Sequence, residues 1–156
     1  MIKIGDKLPE QTFTFITDAG KNSADSAALF GGKKVVIFAV PGAFTPTCSN
    51  AHLPGFVALA DRFKARGVEL FCLSVNDAFV MRAWQQVQHA DAITMLADGA
   101  GTFTQALGLA KDTGDFGGLR ARRFALVAEN GVVTALQLEA PGKFEVSSAE
   151  AMLALV

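Results

Sequence analysis

The length, composition and charge of the chain exclude several classes of protein. Of its 156 residues, 51% are hydrophobic, and 14 Lys and Arg residues nearly balance 15 Asp and Glu residues. One domain usually has about 100–200 residues, so we expect residues 1–156 to form a single domain. A net charge of −1 provides no basic surface for nucleic acid, so we expect no nucleic-acid partner.

No segment is apolar enough to cross a membrane or to direct export. The longest apolar runs, residues 35–40 and 151–156, have six residues each, whereas a spanning helix needs about 20. The first six residues contain neither an apolar signal core nor an Arg/Ser-rich amphipathic stretch. If the chain is unprocessed, these features predict a cytoplasmic protein that does not contact membranes.

The two cysteines, Cys48 and Cys72, are too few for a secreted disulfide scaffold. The chain has no C-x-x-C or H-x-x-x-H motif, and its only histidines are His52 and His89. So small a set of separated ligands disfavours a metal site. We therefore expect both cysteines to act as thiols in a reducing compartment.

Hydrophobic periodicity and turn residues predict the order of strands and helices. Continuous apolar runs, such as residues 35–40, are typical of strands buried on both faces. Strands are predicted at residues 13–17, 35–40, 68–75, 93–97, 123–128 and 132–139, the last two joined by an Asn130-Gly131 turn. Helices are predicted from residues 47–48 to Gly67, after Asp77, over residues 102–107, and from a Ser147/Glu150 capping box to residues 152–153. The three glycines and two aspartates of residues 111–119 predict a loop.

Two of these helices carry apolar residues that recur at the spacing of one helical face. Such a face normally packs on the core. The apolar positions are Phe56, Leu59, Ala60 and Phe63 in the first helix, and Val80, Ala83, Trp84 and Val87 in the second.

A buried strand–helix–strand unit followed by an antiparallel hairpin and a closing helix predicts a thioredoxin-like α/β fold. Its mixed central sheet would be flanked by helices on both faces. Cys48 lies at the junction between the first core strand and the next helix, where this fold places its reactive thiol. Thr45 stands where a C-x-x-C protein has its first cysteine.

The residues around Cys48 are suited to a reactive thiol. The start of a helix favours the thiolate, which is the nucleophilic form. The Thr45 hydroxyl could donate to the sulfur, the Pro41 ring could wall off the site, and a nearby arginine would complete it. The alternative is that Cys48 is a small buried hydrophobic residue.

Residues 41–49, with the sequence PGAFTPTCS, resemble the active-site signature of the type II, or peroxiredoxin-five-like, peroxiredoxins. The resemblance continues through residues 52–56, 74–84 and 98–108, and through Arg123-Phe124, so it covers nearly the whole chain. It implies a peroxidase of antioxidant defence and redox homeostasis that reduces hydrogen peroxide and organic hydroperoxides.

The resemblance also implies roles for four residues and requires no bound cofactor. Cys48 would be the peroxidatic cysteine, which becomes a sulfenic acid. Thr45 and Arg123 would orient the peroxide, and Pro41 would shield the sulfur. Glutathione, glutaredoxin or thioredoxin would then return the sulfenic acid to the thiol.

The roles of several residues stay open at this point. Arg120 and Arg122 compete with Arg123, which is favoured because it directly precedes the aromatic strand residue. Cys72 is either an inert core thiol or a resolving cysteine. His52 is either a cationic modulator of the thiol or a surface residue on the helix.

Two further expectations concern the oligomeric state of the protein and the class of its function. Phe44 and Phe79 fall outside the predicted core faces, so we expect a homodimer with both residues near its interface. Two alternatives to a peroxidase use the same thiol and fold. One is a peroxide-sensing redox protein, and the other is a glutathione-dependent disulfide reductase, which the missing C-x-x-C disfavours.

Overall fold

A five-stranded mixed sheet forms the centre of the protein, whose computed structural model describes residues 1–156. The strands are β1 (Thr12–Thr17), β2 (Gly20–Asp25), β3 (Lys34–Ala39), β4 (Val68–Ser74), β5 (Thr94–Ala97), β6 (Ala110–Asp112), β7 (Leu119–Ala121), β8 (Phe124–Glu129) and β9 (Val132–Leu138). The helices are α1 (Ser26–Phe30), α2 (Leu53–Ala65), α3 (Ala78–Val87), α4 (Thr102–Ala106) and α5 (Ala149–Leu153). None of these helices combines the length and the apolar character needed to span a bilayer.

The strand order in the central sheet is β5-β4-β3-β8-β9. Strands β3, β4 and β5 are parallel, whereas β8 is antiparallel to β3 and β9 is antiparallel to β8. The predicted strand–helix–strand unit is therefore β3-α2-β4, and the predicted mixed sheet is confirmed. Two further pairs, β1-β2 and β6-β7, form separate small sheets.

The alternating side chains of β3 divide the core into two layers. Val36 and Phe38 point to the face covered by α2, α3 and α5. Val35 and Ile37 point to the other face, where α1, α4 and the first hairpin supply Phe30, Phe103 and Phe13. Both faces are thus buried, which explains why residues 35–40 form an unbroken apolar run.

Several local signals have the predicted effect. Asn130 (φ 49°) and Gly131 (φ 75°) form the turn between β8 and β9, whose left-handed conformations explain the Asn-Gly pair. The Asp77 carboxylate accepts a hydrogen bond from the Val80 N–H at 2.8 Å and caps α3. Pro54 lies in the first turn of α2.

The buried face of α3 differs from the prediction. Met81 and Trp84 are buried, whereas Ala83 is exposed and Val87 is 63% exposed. The helix packs against β1 and β5 through the face around Met81. The exposed apolar residues of α3 are therefore left on the protein surface.

Two further predictions are wrong. Residues 111–119 are not simply a loop, because β6 and β7 pair antiparallel around a 3-10 turn at Gly114–Phe116. The cap of α5 is Ser148, whose hydroxyl accepts from the Ala151 N–H at 3.1 Å. The Ser147 hydroxyl instead donates to Glu139 at 2.7 Å, a contact that helix-capping rules do not anticipate.

Candidate active site

Cys48 begins a π turn, Cys48–His52, that connects the loop after β3 to α2. The Leu53 N–H donates to the Cys48 carbonyl and closes the turn. The sequence predicted an ordinary helical start here, whereas the structure has a wider π turn. Such turns are rare in proteins as a whole, but they occur often at functional sites. The Cys48 side chain is fully buried.

Two hydrogen-bond donors converge on the Cys48 sulfur. The Thr45 hydroxyl lies 2.9 Å from Sγ, and Nη2 of Arg123 lies 3.1 Å from Sγ. The Thr45 hydroxyl also lies 2.7 Å from the Gly42 carbonyl. Because a hydroxyl has one proton, Thr45 donates to one of these acceptors at a time. A thiolate competes for that proton more strongly than a thiol does.

Arg123 directly precedes β8, and this position brings its guanidinium next to Cys48. Its Nη1 lies 2.7 Å from Nδ1 of His52, and its guanidinium lies 5.8 Å from the centre of the Phe144 ring. No carboxylate lies within 4.0 Å of it, since the four ion pairs of the chain lie elsewhere. The guanidinium charge therefore faces the Cys48 sulfur. Arg120 and Arg122 make no hydrogen bond to that sulfur.

His52 is neither a surface residue nor a cation near the thiol, so both alternatives considered for it are wrong. Its side chain is fully buried among the Phe38, Phe56 and Phe144 rings. Burial, followed by the Arg123 charge, lowers the pKa of His52 from 6.5 to about 3. Since a guanidinium only donates, Nδ1 accepts from Arg123. Nε2 then carries the ring proton and donates to the Ser147 carbonyl at 2.9 Å.

Glu139 extends this chain of contacts behind His52. Its carboxylate accepts from the Ser147 hydroxyl and from the N–H groups of Glu145, Val146 and Ser147, at 2.7–3.0 Å. Burial raises the pKa of Glu139, but these hydrogen bonds outweigh burial and hold it below its usual value. The carboxylate thereby fixes the segment whose carbonyl holds His52, which in turn holds Arg123.

Two other residues that the sequence analysis did not assign to the site support the Cys48 segment. Nε1 of Trp84 donates to the Ser49 hydroxyl at 3.1 Å, which ties α3 to the π turn. The Asn76 side-chain oxygen accepts from the Ala43 N–H at 3.0 Å and ties the end of β4 to the active-site loop. A buried tryptophan needs a partner for its N–H, and that general rule was the available signal for Trp84.

Cys72 lies in the middle of β4, paired with Phe38 of β3 and Met95 of β5. Its side chain is fully buried in the same core layer as Cys48, and the two cysteines are not bonded to each other. Burial, with a smaller contribution from Cys48, raises the pKa of the Cys72 thiol well above its usual value. Cys72 therefore stays protonated in this conformation.

Pro41 and Arg123 also line a cavity of about 610 Å³ that lies beside the active-site loop. The cavity extends from Thr47, the neighbour of Cys48, to the segments around Arg120 and Phe144. No group of three or more His, Cys, Asp and Glu side chains is arranged to hold a metal ion.

The environment of His52 predicts a loss of stability on acidification. An unfolded chain protonates His52 near pH 6.5, whereas the folded protein protonates it only near pH 3. The stability contributed by neutral His52 is therefore complete above pH 6.5 and is lost as the pH falls toward 3. We expect the free energy of unfolding, measured in urea, to fall less between about pH 7 and pH 4 in His52→Gln than in the unmodified protein. Glu139 contributes equally to the pH dependence of stability in both proteins. Parallel pH profiles of the two proteins would therefore contradict the assignment of His52 as a buried neutral residue.

The fold and the site together define a class. The protein is a thiol protein of the thioredoxin-like type in which a single cysteine, without a C-x-x-C partner, is hydrogen-bonded by a threonine and an arginine. The Redoxin family profile matches residues 3–153. The chain therefore belongs to the Redoxin family.

Known relatives match along almost the whole chain. Peroxiredoxin-2E-2, chloroplastic, from Oryza sativa subsp. japonica is 49% identical, over 97% of this chain and 71% of the relative. Peroxiredoxin-2D from Arabidopsis thaliana is 46% identical, over 97% of this chain and 96% of the relative. The crystal structure of reduced Prx3 from Vibrio vulnificus in complex with H₂O₂ is 57% identical, covers 99% of both chains and has a TM-score of 0.95.

These comparisons confirm the predicted family, thioredoxin-like fold and enzyme class. The protein is a thiol-dependent peroxidase of antioxidant defence.

Proposed function

We propose that Cys48 is the nucleophile that reduces hydrogen peroxide and organic hydroperoxides. The observation that carries this proposal is the convergence of the Thr45 hydroxyl and the Arg123 guanidinium on one sulfur atom. The Vibrio vulnificus Prx3 structure, which contains H₂O₂, supports hydrogen peroxide as a substrate.

In the reaction, the Cys48 thiolate attacks one oxygen of the hydroperoxide. An S–O bond forms and the O–O bond breaks, so the sulfur is oxidised to a sulfenic acid. The other oxygen takes a proton and leaves as water or an alcohol. Thr45 and Arg123 hold the two peroxide oxygens in line with the sulfur and stabilise the charge that develops as they separate. Pro41 walls the sulfur from solvent and limits its over-oxidation.

The reductant is a thiol from another molecule: glutathione, glutaredoxin or thioredoxin. Cys72 is the only other cysteine, and it is buried in mid-strand with a raised pKa. For Cys72 to act as a resolving thiol, the Cys48 turn would have to unwind and β4 would have to expose its side chain. We therefore favour an inert core thiol at Cys72, and an external donor.

Turnover with each donor tests this function and separates it from peroxide sensing. We expect catalytic consumption of hydrogen peroxide, with many turnovers per protein, in the presence of at least one of the three donors. A sensor would consume one equivalent of peroxide and then stop, with every donor tested. We propose further that residues 1–156 form a single domain and that the protein is located in the cytoplasm, where these donors are available.

We also propose that the protein is a homodimer assembled through the end of the molecule that holds the active site. The Phe44 backbone has φ 66°, a conformation that costs a bulky residue about 1–2 kcal/mol, and the residue is 53% exposed. Phe79 is 71% exposed, and Ala83 and Val87 follow it along the same side of α3. The Ala43–Asn76 hydrogen bond brings the two segments together. Their apolar side chains form a surface that a twofold contact would cover.

Replacing Phe79 with aspartate should dissociate this dimer, because the interface would bury an unpaired charge. Light scattering at micromolar concentration should give twice 16.4 kDa for the unmodified protein and a value near 16.4 kDa for Phe79→Asp. Ile4→Asp, at a position that is 65% exposed, is the matched control and should stay dimeric. A dimeric Phe79→Asp variant would move the interface elsewhere, and a monomeric unmodified protein would exclude the dimer.

A further inference from the structure

Glu139 directly follows β9 and contacts Arg123 through its own backbone. The Glu139 N–H donates to the Arg123 carbonyl at 3.1 Å. Phe124 pairs with Leu138 at the end of the β8-β9 ladder, so this bond continues the ladder by one residue on each strand. The backbone of Arg123 is therefore held by the backbone of Glu139.

The Glu139 side chain reaches the Arg123 guanidinium by a second route. Its Oε2 accepts from the Ser147 hydroxyl at 2.7 Å and from the Ser147 N–H at 2.8 Å. The Ser147 carbonyl lies 2.9 Å from Nε2 of His52, and Nδ1 of His52 lies 2.7 Å from Nη1 of Arg123. These contacts form a closed circuit of hydrogen bonds that begins and ends at Arg123, whose Nη2 lies 3.1 Å from Cys48 Sγ.

The same carboxylate closes the loop between Glu139 and Glu145. Its two oxygens lie 2.8 and 3.0 Å from the Glu145 backbone nitrogen. Phe144 is the last residue of the enclosed loop, and the centre of its ring lies 4.8 Å from the centre of the His52 ring and 5.8 Å from the Arg123 guanidinium. The carboxylate thus also places an aromatic ring that borders two members of the circuit.

No cation neutralises the Glu139 carboxylate. The residue is only 4% exposed, and no Lys, Arg or His nitrogen lies within 4.0 Å of its oxygens. Burial of a charge is costly unless hydrogen bonds compensate it. Here three backbone N–H groups and one hydroxyl provide them. A buried polar network that is fully satisfied in this way makes the structure around it rigid.

We propose that Glu139 is a positioning residue of the peroxidase reaction, which holds the Arg123 guanidinium where it aligns the peroxide with Cys48. The inference rests on the proposed function, in which Arg123 orients the peroxide oxygens. Alignment matters because a displacement of about 1 Å can slow a reaction between aligned groups about 10²-fold. Glu139 makes no hydrogen bond to the sulfur, so its effect passes through Arg123.

The test is a double-mutant cycle on the oxidation of Cys48 by hydrogen peroxide, measured by stopped flow. Glu139→Gln keeps the backbone bond to Arg123 and one acceptor oxygen, but it brings an amide group that cannot accept against the Glu145 N–H. We expect the oxidation rate constant to fall about 10–100-fold. In the Arg123→Ala background the same substitution should change the rate constant less than about twofold, because the side chain through which Glu139 acts is absent.

Ser147→Ala is a second, smaller change to the circuit. It removes the hydroxyl and keeps both the N–H that donates to Glu139 and the carbonyl that holds His52. We expect its oxidation rate constant to fall less than that of Glu139→Gln, and we expect this loss to disappear in the Arg123→Ala background. If Glu139→Gln does not fold, Ser147→Ala decides the test by itself.

Asp98→Asn is the matched control, because it changes another buried carboxylate that is held by hydrogen bonds. Asp98 accepts from the Phe103 N–H at 3.1 Å, from the Thr104 N–H at 2.8 Å and from the Thr104 hydroxyl at 2.7 Å, all at the start of α4. The control should lower the free energy of unfolding in urea and leave the oxidation rate constant unchanged. Equal slowing in Asp98→Asn and Glu139→Gln would overturn the proposal, because a general loss of stability would then explain both.

Two other results would also overturn it. One is an unchanged oxidation rate constant in both Glu139→Gln and Ser147→Ala. The other is the same fold-loss with and without Arg123, because the carboxylate would then act independently of the guanidinium. If hydrogen peroxide does not oxidise Cys48 in the unmodified protein, or if Arg123→Ala is oxidised as fast as that protein, the proposed function itself fails and the inference fails with it. That failure is seen before any Glu139 variant is compared.

Discussion

Replacing Cys48 with serine should reduce peroxide consumption to the rate of the uncatalysed reaction. A serine hydroxyl stays protonated beside Thr45 and Arg123, and it is a poor nucleophile compared with a thiolate. Removal of an enzyme nucleophile commonly lowers turnover by about 10⁴-fold or more. Loss of hydrogen peroxide, followed with a reducing thiol in excess, measures the effect.

The Cys72→Ser variant is the control for this experiment, since it removes the other thiol of the chain. It should keep the fast first oxidation by peroxide, because Cys72 does not contact the hydrogen-bond donors of the site. If the Cys48→Ser protein reduced peroxide at a rate close to that of the unmodified protein, the assignment of the nucleophile would be wrong. Loss of the first oxidation in Cys72→Ser alone would transfer the role to Cys72.

Replacing Arg123 with alanine should slow the oxidation of Cys48 by peroxide by about 10²–10³-fold, the effect of removing a preorganised donor from a developing oxyanion. The change removes the donor at 3.1 Å from the sulfur and leaves Nδ1 of His52 without its partner. Stopped-flow measurement of the oxidation by hydrogen peroxide gives the rate constant. Arg123→Lys should recover only part of the rate, because one ammonium group cannot hold the sulfur and His52 together.

Arg122→Ala is the matched control, one position away along the chain. The Arg122 backbone N–H donates to the Leu109 carbonyl, a bond that alanine keeps, and its side chain does not reach the Cys48 sulfur. We expect its oxidation rate constant to equal that of the unmodified protein. Equal slowing in the two alanine variants would show that a general loss of positive charge, rather than the Arg123 geometry, is responsible.

Local sequence patterns were sufficient to predict much of the fold and the identity of the nucleophile. The apolar run of residues 35–40 had to be a strand buried on both faces, and the Asn130-Gly131 pair had to form a tight turn, because each depends only on neighbouring residues. The position of Cys48 after the first core strand followed from the same patterns. Together with the resemblance of residues 41–49, it predicted the family that the comparisons confirm.

The tertiary structure alone decided which residues support the nucleophile. His52 contacts Arg123 from 71 positions away and Ser147 from 95 positions away. The burial and the neutral state of His52 therefore depend on segments that are distant in the sequence, which helical periodicity does not reveal. The exposed face of α3, with Phe79 and Val87, was likewise set by how that helix packs against β1 and β5. Periodicity shows that a helix has an apolar face, but only packing decides which side of the helix meets the core and which stays on the surface.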